Sequence, residues 1–191
     1  MKQKKGSEAA KEFRKSFWAG IFTFILVFPL AVLEFYRVKQ GLDTKITLLA
    51  FFLNILYLGT YYLFIRGYAF LGEKTKNKLL TKTSYALLFI EAITILYTII
   101  ILFAPQVEKE FLVTTELALV GIGLIVFGFA LQRVKTLGIL AKIGGVIQIL
   151  AGISYFLTPA MQIFSFIAVF LFMINSIFEI VILHAASKKI K

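Results

Sequence analysis

The chain has 191 residues, is 60% hydrophobic, contains no cysteine and carries a formal net charge of +11. Its mean hydropathy of +0.89 and its apolar content exceed those of soluble domains, which run about 45–50% apolar. This excludes an ordinary water-soluble domain, and the missing cysteines exclude disulfides, iron–sulfur clusters and thiol catalysis.

A helix crosses hydrocarbon with about 20 apolar residues. Six runs of that length are read, at 17–36, 46–65, 84–104, 111–131, 137–157 and 162–184. The expected fold class is therefore all-α, a polytopic six-transmembrane-helix bundle. Residues 1–16 form a basic cytoplasmic segment, of which 7–16 read as a short interfacial helix. Residues 17–184 make one transmembrane domain and 185–191 a basic tail. The first run is long and is not followed by a small-residue cleavage site, so it is read as a retained span rather than a signal peptide. Pro29 lies inside it and is expected to kink it. Pro105 and Pro159 follow the third and fifth runs as helix stops.

The connection between the second and third runs, 66–83, is the longest. Gly67 followed by Gly72-Glu73-Lys74-Thr75 comes close to a phosphate-binding loop, but Glu73 is inserted before the lysine. No strand precedes it, so the match is rejected. What remains is a basic loop, Lys74, Lys76, Lys78 and Lys82, suited to anionic lipid headgroups or to a protein partner.

Lysines and arginines fall on alternate connections. With both termini in the cytoplasm, sixteen lie inside and four outside. The positive-inside rule selects this orientation. Orientation and lipid attraction account for the charge, so nucleic acid is not expected as a partner.

Small residues set helix packing in lipid. The fourth run carries Gly121 and Gly128, and the fifth carries Gly138, Gly145 and Gly152. A seven-residue step turns only about 20° from its start, so each set is expected to form a packing groove. With the short loop between them, the two runs are expected to pair as an antiparallel hairpin.

Ionisable groups inside hydrocarbon are costly and usually face protein. Glu91, Lys142 and Glu179 are placed at one depth by the orientation above. Asn175 lies one turn before Glu179, and Ser165 and Ala168 continue its stripe. Lys142 lies near the glycine face of its run and is expected to point inward. The four polar residues are read as a buried cluster for a cation or proton, with Lys142 as internal counter-ion. The plainer alternative is a structural ion pair, or a lysine that snorkels to the interface. A second set, Glu34, Asn54 and Glu116, lies further out, where Glu34 and Arg37 are spaced to pair.

No histidine pair, H-E-x-x-H or G-x-S-x-G is present, so no catalytic, cofactor or metal site is assigned. The preferred reading is a non-catalytic membrane subunit of a larger assembly or homo-oligomer, in a prokaryotic plasma membrane. The alternative is a small oligomeric transporter or channel for an ion, proton or small solute that uses the Glu/Lys cluster. A membrane enzyme with an unfamiliar site comes last.

Overall fold

A computed structural model describes residues 2–40, 43–161 and 163–190, with side chains for all of these except 2–7, 40 and 165. The chain is all-helical: α1 (Lys2–Gln40), α2 (Thr44–Lys74), α3 (Lys78–Phe103), α4 (Glu110–Gln132), α5 (Ile139–Leu157) and α6 (Ile163–Lys189). All six are long and apolar enough to cross a membrane. Gln162 and Lys191, and the side chains of Lys2, Lys4, Lys5 and Ser165, lie outside the described residues.

The helices outrun the apolar stretches because their polar ends still pack. α1 is one helix of 39 residues, so residues 7–16 are not a separate interfacial element. Ala9, Phe13, Ser16, Ala19, Gly20 and Thr23 are buried at helical spacing, and Phe13 packs on Phe70 of α2. The helix passes through Pro29 without a break.

The expected long basic loop is a three-residue turn. Lys76 at φ 57° lets its own N–H reach the Glu73 carbonyl at 3.2 Å and the Asn77 N–H reach the Gly72 carbonyl at 2.7 Å. This is the left-handed cap that satisfies the last carbonyls of a helix. Asn77 then starts α3 by accepting from the Leu80 N–H at 3.1 Å, and its amide donates to the Ala130 carbonyl of α4 at 2.7 Å. Gly72-Glu73-Lys74-Thr75 thus closes a helix, the opposite of a phosphate loop.

Each helix packs against its neighbours in the chain, and α1 closes on α6, so the six form a ring. The tightest pair is α4–α5. A Cβ on Gly121 would stand 2.7 Å from the Gly152 carbonyl oxygen, and one on Gly128 would stand 2.6 Å from the Gly145 carbonyl oxygen. Backbone meets backbone there, and only glycine permits it. Gly138 does not belong to this groove. It precedes α5 at φ 59° with open space around it, a backbone conformation that suits glycine in a turn.

The two ends of the ring are built differently. At the end that carries Lys74–Lys82 and the start of α1, side chains fill the ring solidly. Phe13, Tyr68, Leu71, Leu80, Phe127 and Leu183 are completely buried in one cluster. Tyr68 crosses from α2 to α6, donating its hydroxyl to the Glu179 carbonyl at 2.6 Å. Above this plug the helices leave space between them that is partly open to the outside.

Candidate functional site

The space is a cavity of about 950 Å³ lined by all six helices. It begins at the plug and extends toward the end where α1 meets α2 and α3 meets α4. Beyond Thr23, none of the described residues of α1 is buried, and the helix from Phe24 onward forms part of the cavity wall.

Glu91 of α3, Glu116 of α4 and Glu179 of α6 line it. Glu179 is 8% exposed and stands at the inner end, above the plug. Tyr61 of α2 lies near both Glu179 and Glu91. The Tyr57 hydroxyl lies beside Glu91, and Tyr155 of α5 lies near Glu91 and Glu116. Thr94 sits beside Glu116. The rings of Tyr57 and Tyr61 are stacked, with centroids 5.9 Å apart and planes 13° apart. The spacing of four along α2 puts them on one face, and Phe64 and Tyr68 continue that stripe down into the plug.

Two amides complete the inner end. Gln148 of α5 is completely buried and Asn175 of α6 is 4% exposed. Both line the cavity and lie beside Glu179. Among the described residues, Nε2 and Oε1 of Gln148 and Oδ1 of Asn175 have no hydrogen-bond partner within 3.5 Å, and the Glu179 carboxyl is the polar group that both amides adjoin. A buried polar group without a partner is costly, and an unpaired one in a cavity is a group waiting for a ligand or water. Asn54 also lines the cavity, but its amide is used within α2, donating to the Ala50 carbonyl at 2.9 Å.

At the outer end Arg37 holds two carboxylates. It donates to Glu34 at 2.6 and 2.9 Å and to Glu108 at 2.8 and 3.0 Å. Its hydrogen bonds and charge hold the Glu108 carboxyl below the usual carboxylate range.

The structure therefore brings Glu91, Glu179 and Asn175 to one cavity and leaves Lys142 out of it. Lys142 is exposed, which corrects the expected internal counter-ion. The buried face of α5 runs through Ala141, Gly144, Gly145, Gln148, Ala151 and Gly152. At about 100° per residue its centre lies on the Gln148 side of the glycines, and Lys142 is on the other side. Lys74, Lys76, Lys78 and Lys82 are all exposed, in the turn and the adjoining helix ends. Gln148 and the three tyrosines are site residues that the sequence reading passed over. Gln148 had a usable signal, being the one amide in the apolar run of α5, and Tyr57 and Tyr61 had their spacing of four.

Comparison with protein-family models, curated proteins and solved structures returns no match for this chain.

Proposed function

We propose that this is a multi-pass protein of a prokaryotic plasma membrane, with both termini cytoplasmic, whose central cavity binds a small solute or ion and carries it across the bilayer. The observation that carries this reading is the cavity itself: about 950 Å³ among the six helices, open along part of its boundary, with Glu91 and Glu179 on its wall. A ring that existed only to pack against partners has no use for a polar interior, and such groups are expensive in a bilayer. The volume falls in the range of small-molecule sites, about 300–1,000 Å³. Large apolar side chains point outward on every helix, among them Phe52, Phe89, Phe129 and Phe170, and lipid is the solvent that suits them. The solid plug lies at the basic end, so in the orientation read from charge the cavity faces outward and is closed toward the cytoplasm.

The carboxyls at Glu91 and Glu179 are assigned to hold the transported cation or an exchanged proton, since a buried carboxylate is stable only when protonated or paired. No catalytic role is proposed. The test is solute or ion flux in liposomes with an imposed proton gradient. Flux is expected in the native protein and is lost in Glu91→Gln and Glu179→Gln variants that remain monodisperse.

The second reading, a non-catalytic subunit of a larger assembly, is supported by the exposed row Lys74, Lys76, Lys78 and Lys82, which suits anionic headgroups or an acidic partner. Co-purification of a fixed partner from native membranes, with no flux for the isolated protein, is the result that favours it.

A further inference from the structure

The cavity wall has a specific chemistry, and it narrows the ligand. We propose that the cavity takes an organic monocation: an amine or quaternary ammonium attached to an apolar or aromatic body. This rests on the reading of the cavity as a solute site and names its substrate class.

The first observation is sign. Glu91, Glu116 and Glu179 face the cavity from three helices. The cation on its wall among the described residues is Arg37, at the outer end and already held by Glu34 and Glu108. Lys142, the other basic residue of the ring interior expected from sequence, points away. The inner cavity therefore has carboxyls and no fixed positive charge to pair with them, and a positively charged ligand supplies what is missing.

The second observation is the aromatic wall. Tyr57 and Tyr61 stack nearly parallel, and Tyr155 comes from the opposite side of the ring, near Glu91 and Glu116. Aromatic rings near carboxyls suit an alkylammonium group, because the ring quadrupole attracts a cation without hydrogen-bond donors of its own. Phe172 and Met173 of α6 give the remaining wall an apolar character, to which a hydrocarbon body is complementary.

The third observation argues against a divalent metal ion held by clustered side chains. Among the described residues no group of three or more His, Cys, Asp or Glu side chains is close enough to hold one. The carboxyls are spread around a space far larger than an ion's coordination shell, which needs six to eight oxygens at about 2.3–2.6 Å for calcium. The unpartnered Nε2 and Oε1 of Gln148 and Oδ1 of Asn175 add one donor group and two acceptors at the inner end, where a polar substituent of the ligand, or the ammonium itself, finds its hydrogen bonds.

The experiment measures equilibrium binding to the full chain in lipid nanodiscs, with no gradient. The probes are benzyltrimethylammonium, benzyl alcohol as its uncharged counterpart, and sodium and potassium as bare cations. Saturable binding of benzyltrimethylammonium is expected, with no saturable binding of benzyl alcohol and no displacement by the metal ions at equal concentration. Glu91→Gln and Glu116→Gln each weaken it by on the order of tenfold. Tyr57→Leu weakens it by about three- to thirtyfold, while Tyr57→Phe, which keeps the ring face, stays within about twofold. A measurement on the native protein removes dependence on variant folding: a hydrophobic carbodiimide labels cavity carboxyls, and benzyltrimethylammonium, but not benzyl alcohol, protects Glu91 and Glu116. Absence of saturable binding, equal binding of benzyl alcohol, or full carbodiimide labelling in the presence of the probe overturns the assignment. The two readings separate cleanly. Flux that requires Glu91 and Glu179 without probe binding removes the organic cation and keeps transport, whereas probe binding without flux of any solute keeps the ligand class and removes transport.

Discussion

Arg37 on α1 and Glu108 in the turn after α3 are joined by two hydrogen bonds of 2.8 and 3.0 Å, although α1 is not a ring neighbour of α3 or α4. The pair ties the outer end of α1, whose last buried residue among those described is Thr23, to the far side of the cavity.

Glu108→Gln is therefore expected to loosen the outer half of α1. The pair is partly exposed, with side chains 11% and 39% accessible, so its contribution to global stability is small, about 1 kcal/mol or less. The local effect is larger: hydrogen exchange between residues 24 and 40 rises while the buried stretch before Thr23 stays protected. The pH dependence has a definite sign. The Glu108 carboxyl is held below its ordinary range in the folded protein, so the pair stabilises fully above the unfolded carboxylate value, about pH 4.3. That stabilisation is lost as pH falls further, through the lowered folded value, because the unfolded chain takes up the proton first. The difference in melting temperature between the native protein and Glu108→Gln shrinks over that acidic interval and is constant near neutrality. A difference that grows with acid contradicts the assignment.

The glycine contacts predict a sharp contrast among Gly→Ala variants. At Gly121 and Gly145 a methyl group would stand 2.7 Å from the Gly152 carbonyl oxygen and 2.6 Å from the Gly128 carbonyl oxygen respectively. The α4 and α5 backbones must separate, and overpacking of this kind costs about 1–3 kcal/mol. Gly59, on the outer face of α2, has nothing within 4 Å, and Gly59→Ala leaves thermal stability unchanged or raises it slightly. Gly138→Ala also enters open space, yet it loses stability because its φ of 59° is unfavourable for a residue with a side chain. Melting curves of the four variants in one detergent decide the matter.

The count of helices was legible because hydropathy reports each apolar run directly, and the carboxylates stood out because charge is rare in such runs. Helix length was not legible, since Phe13 and Tyr68 extend buried packing past the apolar stretch and hydropathy averages them with lysines. The three-residue turn at Thr75–Asn77 was hidden in the same way: its capping residues are polar, and polar composition alone reads as loop. Lys142 was misplaced because the glycine spacing defines a stripe but not which edge of that stripe faces the ring interior. That edge depends on where α6 packs, and Gly144 against Ile182 records it only in three dimensions. Tyr57, Tyr61, Tyr155 and Gln148 were overlooked because an uncharged side chain in an apolar run does not announce a cavity.

Lys142 supplies a direct functional prediction. Exposed on the outer side of α5, it has no part in ligand pairing, so Lys142→Met leaves benzyltrimethylammonium affinity within about twofold, the scatter expected of a surface change of ±0.5 kcal/mol. Were Lys142 the internal counter-ion, its removal would leave two carboxylates uncompensated and cation binding would tighten markedly. Binding isotherms for Lys142→Met and Glu91→Gln measured side by side separate these outcomes.

Gln148 predicts opposite effects on stability and on binding. The side chain is completely buried, and among the described residues neither of its polar atoms has a partner within 3.5 Å, the Glu179 carboxyl being its polar neighbour. An unsatisfied buried polar group costs about 1–3 kcal/mol, a penalty that a side chain of similar length and no hydrogen-bonding demand does not incur. Gln148→Met is therefore expected to raise the melting temperature of the ligand-free protein. Met preserves the volume between Gly128 of α4 and Glu179 of α6, so the α4–α5 contact is undisturbed. In the presence of an organic cation carrying a hydrogen-bonding substituent, such as a phenolic amine, the native protein recovers the penalty through its amide and the variant does not. The ligand-induced rise in melting temperature is then smaller in Gln148→Met than in the native protein, although the variant starts from the higher value. A variant that is less stable without ligand shows instead that Gln148 is satisfied in the free protein by water held at the inner end of the cavity, and the amide then belongs to the architecture of the plug rather than to the ligand site.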